Sequence, residues 1–298
     1  MCLSLKSLVE ENIMDVIAVP GTSKQIHIKN ILKKVPFLDD DIVFLSGSII
    51  EGIQNQSSQG MGNMYSDLDV FILRNDKNFD EKLEVVYDQV AVLKTFYNID
   101  DVNIDVEVYK KSTIEKIIRS LNECSFDSNI RTPNQIKFYD GFNQRLFVTF
   151  MHRFINSLVI YNEKEYLEMK DSLAFDNFYR YYIRMCINRV DMNYEDVVGN
   201  LNKGEYEVAA IVAREILIET AKAFIGFNEE TIDRLKWIPL KLRNLALLSE
   251  YNSNIYRRFV DFQFYIAISD QEDLPAYVED ILMFADDVIG YITNKKGI

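Results

Sequence analysis

The apolar positions of this chain change period near its middle. Ile42-Val43-Phe44-Leu45 and Val70-Phe71-Ile72-Leu73 are short apolar runs, and Val102, Ile104, Val106 and Val108 alternate with Asn103, Asp105 and Glu107, a pattern that predicts strands. Helical spacing is predicted between and before them, over 3–17, 22–33, 79–96 and 112–121. From residue 144 onward the period stays near 3.6, which predicts helices over 146–159, 164–173, 175–190, 206–225, 240–250, 255–268 and 274–292, with no further strand. The expected fold is therefore α+β. A small mixed β-sheet with covering helices occupies 1–130, an all-α helical bundle occupies 131–298, and the boundary falls between Ser125 and Asn143.

Composition narrows this picture without changing it. A chain of 298 residues favours two domains, and 48% hydrophobic with 27% charged residues is an ordinary globular balance. Net charge is −13 with no lysine or arginine block, so long nucleic acids are not expected as substrates, while a small cationic substrate suits the overall field. Cys2, Cys124 and Cys186 are too few and too scattered for a disulfide framework or a zinc site. Acidic residues at 10 and 11 interrupt any signal-like apolar core, and no apolar run approaches a membrane span, so a cytoplasmic protein is expected. His27 has no candidate ligand nearby in sequence and is read as a surface or packing residue.

Chemistry concentrates between residues 42 and 73. Residues i and i+2 of a strand share a face, so Asp67 and Asp69 converge on one small volume while Leu68 and Val70 point the other way. Paired carboxylates repel unless a cation lies between them, and Mg²⁺ takes oxygen ligands while leaving positions for phosphate. Gly47-Ser48 follows a strand and precedes Ile49-Ile50, where free N–H groups and a hydroxyl can bind phosphate oxygens. On the opposite side of the motif, Asp105 and Glu107 again share one strand face.

Gly47-Ser48, Ser66-Asp67-Leu68-Asp69-Val70 and Ile104-Asp105-Val106-Glu107-Val108 together resemble the nucleotidyltransferase superfamily that includes DNA polymerase beta and the aminoglycoside nucleotidyltransferases. The layout is most similar to the small-molecule enzymes with a C-terminal helical domain. The linker between Ser48 and Asp67 is longer than the family commonly has, and the loop 51–65 reads as a lid or acceptor contact. The resemblance implies Asp67, Asp69 and Asp105 as ligands of two Mg²⁺ ions. It implies Asp105, with Glu107 as the alternative, as the base, and Gly47, Ser48, Ser66 and Lys236 as nucleotide contacts. His152, Arg153 and Arg214 are further candidates for the pocket. The aromatic run Phe175, Phe178, Tyr179, Tyr181 and Tyr182 is read as helix-on-helix packing.

The implied activity is transfer of AMP from ATP, the default nucleoside triphosphate donor, to a hydroxyl of an aminoglycoside-like antibiotic or metabolite, with release of pyrophosphate. A protein hydroxyl as acceptor, hydrolysis, and nucleotide binding without turnover are the alternatives. A homodimer is the ordinary expectation for such a chain.

Overall fold

The structure, a computed structural model, describes residues 15–81, 84, 87–89, 92–126, 135–266 and 270–296. A short hairpin of β1 (Val16–Ala18) and β2 (Gln25–His27) leads into α1 (Ile28–Lys34). The expected helix over 22–33 therefore starts six residues late, because Gln25–His27 is taken by pairing with β1. Of the expected helix over 3–17, residues 3–14 lie outside the described residues, and its C-terminal end is strand.

The main sheet contains β3 (Ile42–Ser46), β4 (Leu68–Arg74), β5 (Tyr87–Gln89), β6 (Val92–Ile99), β7 (Val102–Lys110) and β8 (Leu158–Tyr161) in the order β5-β6-β7-β4-β3-β8. Only β4 and β7 run parallel; the other neighbours are antiparallel, so the sheet is mixed as expected. Where a helix was expected over 79–96, residues 87–89 and 92–96 are strand and 79–81 are turn, and Leu83, Val86 and Val90 lie outside the described residues. The reason lies in the turn. Asp100 and Asp101 have φ of 54° and 60°, as in a type I′ hairpin, and they join Ile99 to its partner Val102. Asn-Gly would have advertised this turn, whereas two aspartates do not. Asp100 accepts a hydrogen bond from the Asn30 side chain at 2.7 Å, and Lys24 Nζ donates to the Asp101 carbonyl at 2.8 Å, which offsets the left-handed backbone.

Both faces of the sheet are covered, which explains why β3 and β4 read as continuous apolar runs. On one face Val43, Leu45, Val70, Ile72, Ile104, Val106 and Val108 pack with Ile31 of α1 and with Ile49 and Ile50 of α2 (Ser48–Gln54). On the other, Phe44, Phe71 and Tyr109 meet α3 (Lys111–Asn122), α4 (Gln144–Ile155) and Tyr166 of α5 (Glu163–Asp171). The Phe44 and Phe71 rings stack at 5.2 Å and Phe154 closes edge-on at 5.6 Å from Phe44. That core continues without a break into α6 (Phe175–Lys203), α7 (Tyr206–Phe227), α8 (Ile238–Leu245), α9 (Glu250–Val260) and α10 (Leu274–Lys296). Phe178, Tyr181 and Tyr182 are fully buried between helices, consistent with a packing role for the aromatic run.

Three departures follow from local chemistry. The helical segment contributes a strand, β8, whose four positions are all half-buried and so carry no alternation to read. Helix α6 runs past residue 190 until Gly204, at φ 82°, caps it. The expected helices over 240–250 and 255–268 are instead split at Ser249, whose side chain accepts from Asn252 N and starts α9 there.

A buried charge network joins α2 to the helical segment. Glu51, one turn after Ser48, receives Lys241 Nζ at 2.7 Å and His152 Nε2 at 3.0 Å. Lys241 also reaches Glu230 at 2.8 Å, and His152 Nδ1 meets Thr231 Oγ1 at 2.7 Å. His152 and Lys241 hold the Glu51 carboxyl well below the usual range although burial opposes ionisation. Lys241 is inaccessible to water, so its loss leaves Glu51 with His152 alone against its charge and removes the ion pair of Glu230. Lys241→Met is expected to lower stability by about 3–5 kcal/mol in urea unfolding, the usual cost of breaking a buried pair.

Candidate active site

The site is fixed by strand register. Because β4 and β7 are parallel neighbours, Asp69 stands directly beside Asp105, and Glu107 stands beside Phe71 one step further along. Antiparallel pairing places Ser46 of β3 opposite Asp69, so the turn that leaves β3 rises over the same carboxylate. Gly47 in that turn has φ 89°, and a Cβ there would lie 1.9 Å from Asp69 Oδ2 and 2.7 Å from Arg153 Nη1. Glycine is required twice, by conformation and by space. Ser48 opens α2, and its hydroxyl lies 3.4 Å from that of Ser66, which in turn accepts from Asn63 N.

Arg153 of α4 supplies the cation in this cluster. Its Nη1 donates to Asp69 at 2.6 Å, while Nη2 and Nε hold Asp233 at 2.7 and 2.8 Å. Burial pushes the Asp69 carboxyl up, an effect that Arg153 opposes. Asp233 moves the other way, since His152 and Arg153 outweigh its burial. Asp105 has no such cation. Burial, then Asp69, Asp67 and Glu107, push its carboxyl up to about 6, with Lys94 acting weakly against them. Glu107 is engaged by Lys94 Nζ and by the Tyr109 hydroxyl, each at 2.5 Å.

Two adjoining lobes open on either side of the Asp69–Arg153–Asp233 bridge. The first, about 450 Å³, is lined by Ser48, Asn63, Ser66, Asp67, Arg234 and Lys236, with Asp69 and Asp105 on its floor. The second, about 550 Å³, also touches Asp69 and Asp105 and extends over Glu107, Tyr109, Asn143 and Arg145. The donors suit a hard divalent cation: they are carboxylate oxygens only, crowded enough to raise Asp105, and short of positive partners. A cation would be held by Asp67, Asp69 and Asp105. Among the described residues no three acidic, histidine or cysteine side chains are already gathered as a cage, consistent with Asp69 being engaged by Arg153.

Of the residues singled out from the sequence, Gly47, Ser48, Ser66, Asp67, Asp69, Asp105, Arg153 and Lys236 meet at the first lobe, Gly47 through its contact with Asp69 and Arg153, and Glu107 faces the second. Two do not join them. His152 is buried in the network with Glu51 and Thr231, where its Nε2 also lies 3.6 Å from Asp233, and it lines neither lobe. Arg214 stacks on Tyr277 and lines a separate cavity of about 520 Å³ with Arg189 and Gln263, because its helix face turns toward α10. The sequence reading missed Asp233 and Arg234, which line both lobes. The run Asp233-Arg234-Leu235-Lys236 between two helices was the available signal, since it places charge in a short connection.

The loop expected to form a lid divides in two. Asn55 reaches Asn156 and Glu230, and Asn244 donates to the carbonyls of Ser57 and Gln59, all at 3.0 Å, so its first half is anchored to the helical segment. Its second half, with Asn63 and Tyr65, borders the first lobe next to Ser66.

No family model matches the chain, and no curated protein matches it. Among solved structures it is similar to a nucleotidyltransferase-like protein from Exiguobacterium sibiricum 255-15, with a TM-score of 0.45 at 9% identity over 90% of this chain and 77% of that one. At that distance the likeness decides nothing about the chemistry, which rests on the residues described above.

Two outcomes are expected. Gly47→Ala costs about 1–3 kcal/mol from the positive φ alone, and the clash with Asp69 adds to it, so thermal unfolding shifts down by several degrees. For Asp105, a folded pKa near 6 against an ordinary 3.8 means that stability is full below pH 4 and falls as pH rises through 6. In chelator-treated buffer at pH 8, Asp105→Asn is therefore more stable than the parent chain, and at pH 4 the difference disappears.

Proposed function

We propose that this protein is a Mg²⁺-dependent nucleotidyltransferase that moves a nucleoside monophosphate from a nucleoside triphosphate, ATP by default, to a hydroxyl of a small molecule. One observation carries the reading: Asp69 and Asp105 stand side by side in adjacent strands, with Asp67 at the lip and a glycine-serine turn directly over Asp69. A structural acidic surface has no need of a glycine whose absent side chain makes room for a carboxylate.

In this reading the triphosphate lies in the first lobe. Ser48 and the N–H groups of its turn bind phosphate oxygens, and Lys236, which lines the first lobe alone, neutralises the chain. Bound Mg²⁺ supplies positive charge against the phosphate oxygens, where carboxylates alone would repel them. The acceptor hydroxyl approaches from the second lobe and gives its proton to Asp105, which lines both lobes. The hydroxyl oxygen bonds to the α-phosphorus, the α–β bridging P–O bond breaks, and pyrophosphate leaves. Arg153 keeps Asp69 and Asp233 in place across the two lobes, so that the strand bearing the acids and the segment bearing Arg234 hold a fixed separation. Positioning and charge complementarity supply most of the rate in such a displacement.

Loss of the base is expected to lower turnover by about 100- to 10,000-fold. Asp105→Asn should therefore nearly abolish pyrophosphate release, and Asp69→Asn should lose the release that Mg²⁺ stimulates. Glu107→Gln, which loosens the Lys94 and Tyr109 contacts and removes one charge near Asp105 while leaving the three aspartates in place, should have the smallest effect of the three. Retention of Mg²⁺-dependent release in both aspartate variants would contradict the reading.

A further inference from the structure

The second lobe discloses the charge of the acceptor through the groups left without partners. Its acids are almost all engaged. Glu107 is held by Lys94 and Tyr109, and Asp69 and Asp233 are held by Arg153. Asp105 remains, and it serves as the base in the function proposed above. Its cations divide differently. Lys94 and Arg153 are spent on those acids, but Arg145 and Arg234 line the lobe without an ion pair or side-chain hydrogen bond among the described residues. Both are exposed to the lobe's solvent.

A cationic ligand entering here would meet two uncompensated guanidinium groups and a single carboxylate already assigned to the metal and the acceptor hydroxyl. An anionic ligand would meet two planar donors whose forks match a carboxylate or phosphate. Local pairing decides this against the net charge of the chain, because net charge governs approach from solution while the unpaired groups in the lobe govern what is held there.

We propose that the second lobe binds an anionic, hydroxyl-bearing small molecule, its carboxylate or phosphate gripped by Arg145 and Arg234 and its hydroxyl facing Asp105. This replaces the cationic acceptor suggested by the sequence and rests on the nucleotidyltransferase reading of the first lobe. Arg234 borders both lobes, so it marks their junction, whereas Arg145 belongs to the second alone.

The test is calorimetric and does not require the natural acceptor. The full chain is first loaded with Mg²⁺ and an ATP analogue carrying a methylene bridge between the α- and β-phosphorus, which fills the first lobe and blocks transfer. Inorganic phosphate, citrate and a cationic aminoglycoside are then titrated separately, the first two arms distinguishing phosphate from carboxylate recognition. At least one anion is expected to bind ten times or more tightly than the aminoglycoside, and Arg145→Met is expected to weaken that anion at least tenfold. Arg145→Glu should abolish it. Because Arg145 is exposed, both variants should keep the parent melting temperature, which is read alongside. Tighter binding of the aminoglycoside, or an anion affinity indifferent to Arg145, overturns the proposal while leaving the function reading intact. Failure of the analogue itself to bind overturns both.

Discussion

Arg153 is the constraint on which the cleft depends. One guanidinium holds Asp69, which belongs to the sheet, and Asp233, which belongs to the connection between α7 and α8. Without it, Asp69 would face Asp233 across a narrow gap with its own ion pair gone. Its desolvation is repaid because both partners are themselves shielded and because Nη1, Nη2 and Nε are all used. The same residue that closes the structure therefore sets the spacing of the two lobes.

Around that bridge the fold works by register. The parallel pairing of β4 with β7 puts Asp69 beside Asp105 through backbone hydrogen bonds, so their separation does not depend on loop conformation. The antiparallel pairing of β3 with β4 then sets the height of the turn above them. A slip of one residue in either pairing would turn the acids into the apolar core and bring Val70 or Leu68 to the cleft. Both cores resist such a slip, since the residues alternating with the acids are fully buried.

The acids, the glycine turn and the helical segment were legible because each carries a strong local signal: Asp67-x-Asp69 within an apolar run, Gly47-Ser48 at a strand end, and a sustained helical period. Strands β5, β6 and β8 were not legible. Residues 83–93 repeat apolar positions at helical spacing, and the Asp100-Asp101 turn lacks the glycine that usually reveals a hairpin. Asp233 and Arg234 were hidden for another reason: their role arises only when α4 brings Arg153 across from a distant part of the chain, a contact that no periodicity encodes. His152 and Arg153 are adjacent in sequence yet have opposite fates, because neighbouring helical positions face about 100° apart. One looks into the buried network and the other into the cleft.

Glu51 lies three residues beyond Ser48, within one helical turn, and is fastened to Lys241 on α8. The start of α2 and the start of α8 consequently form one mechanical unit, although nearly two hundred residues separate them in the chain. The sheet could in principle be inherited as a module with its three aspartates intact. It would not carry the Gly47-Ser48 turn in its present position with it, because Lys241, which fastens the helix after that turn, lies in the second half of the chain. Exchange of helical segments between relatives of this protein would therefore have to preserve Lys241 and Glu51 together, making this pair a point of co-inheritance between otherwise separable halves.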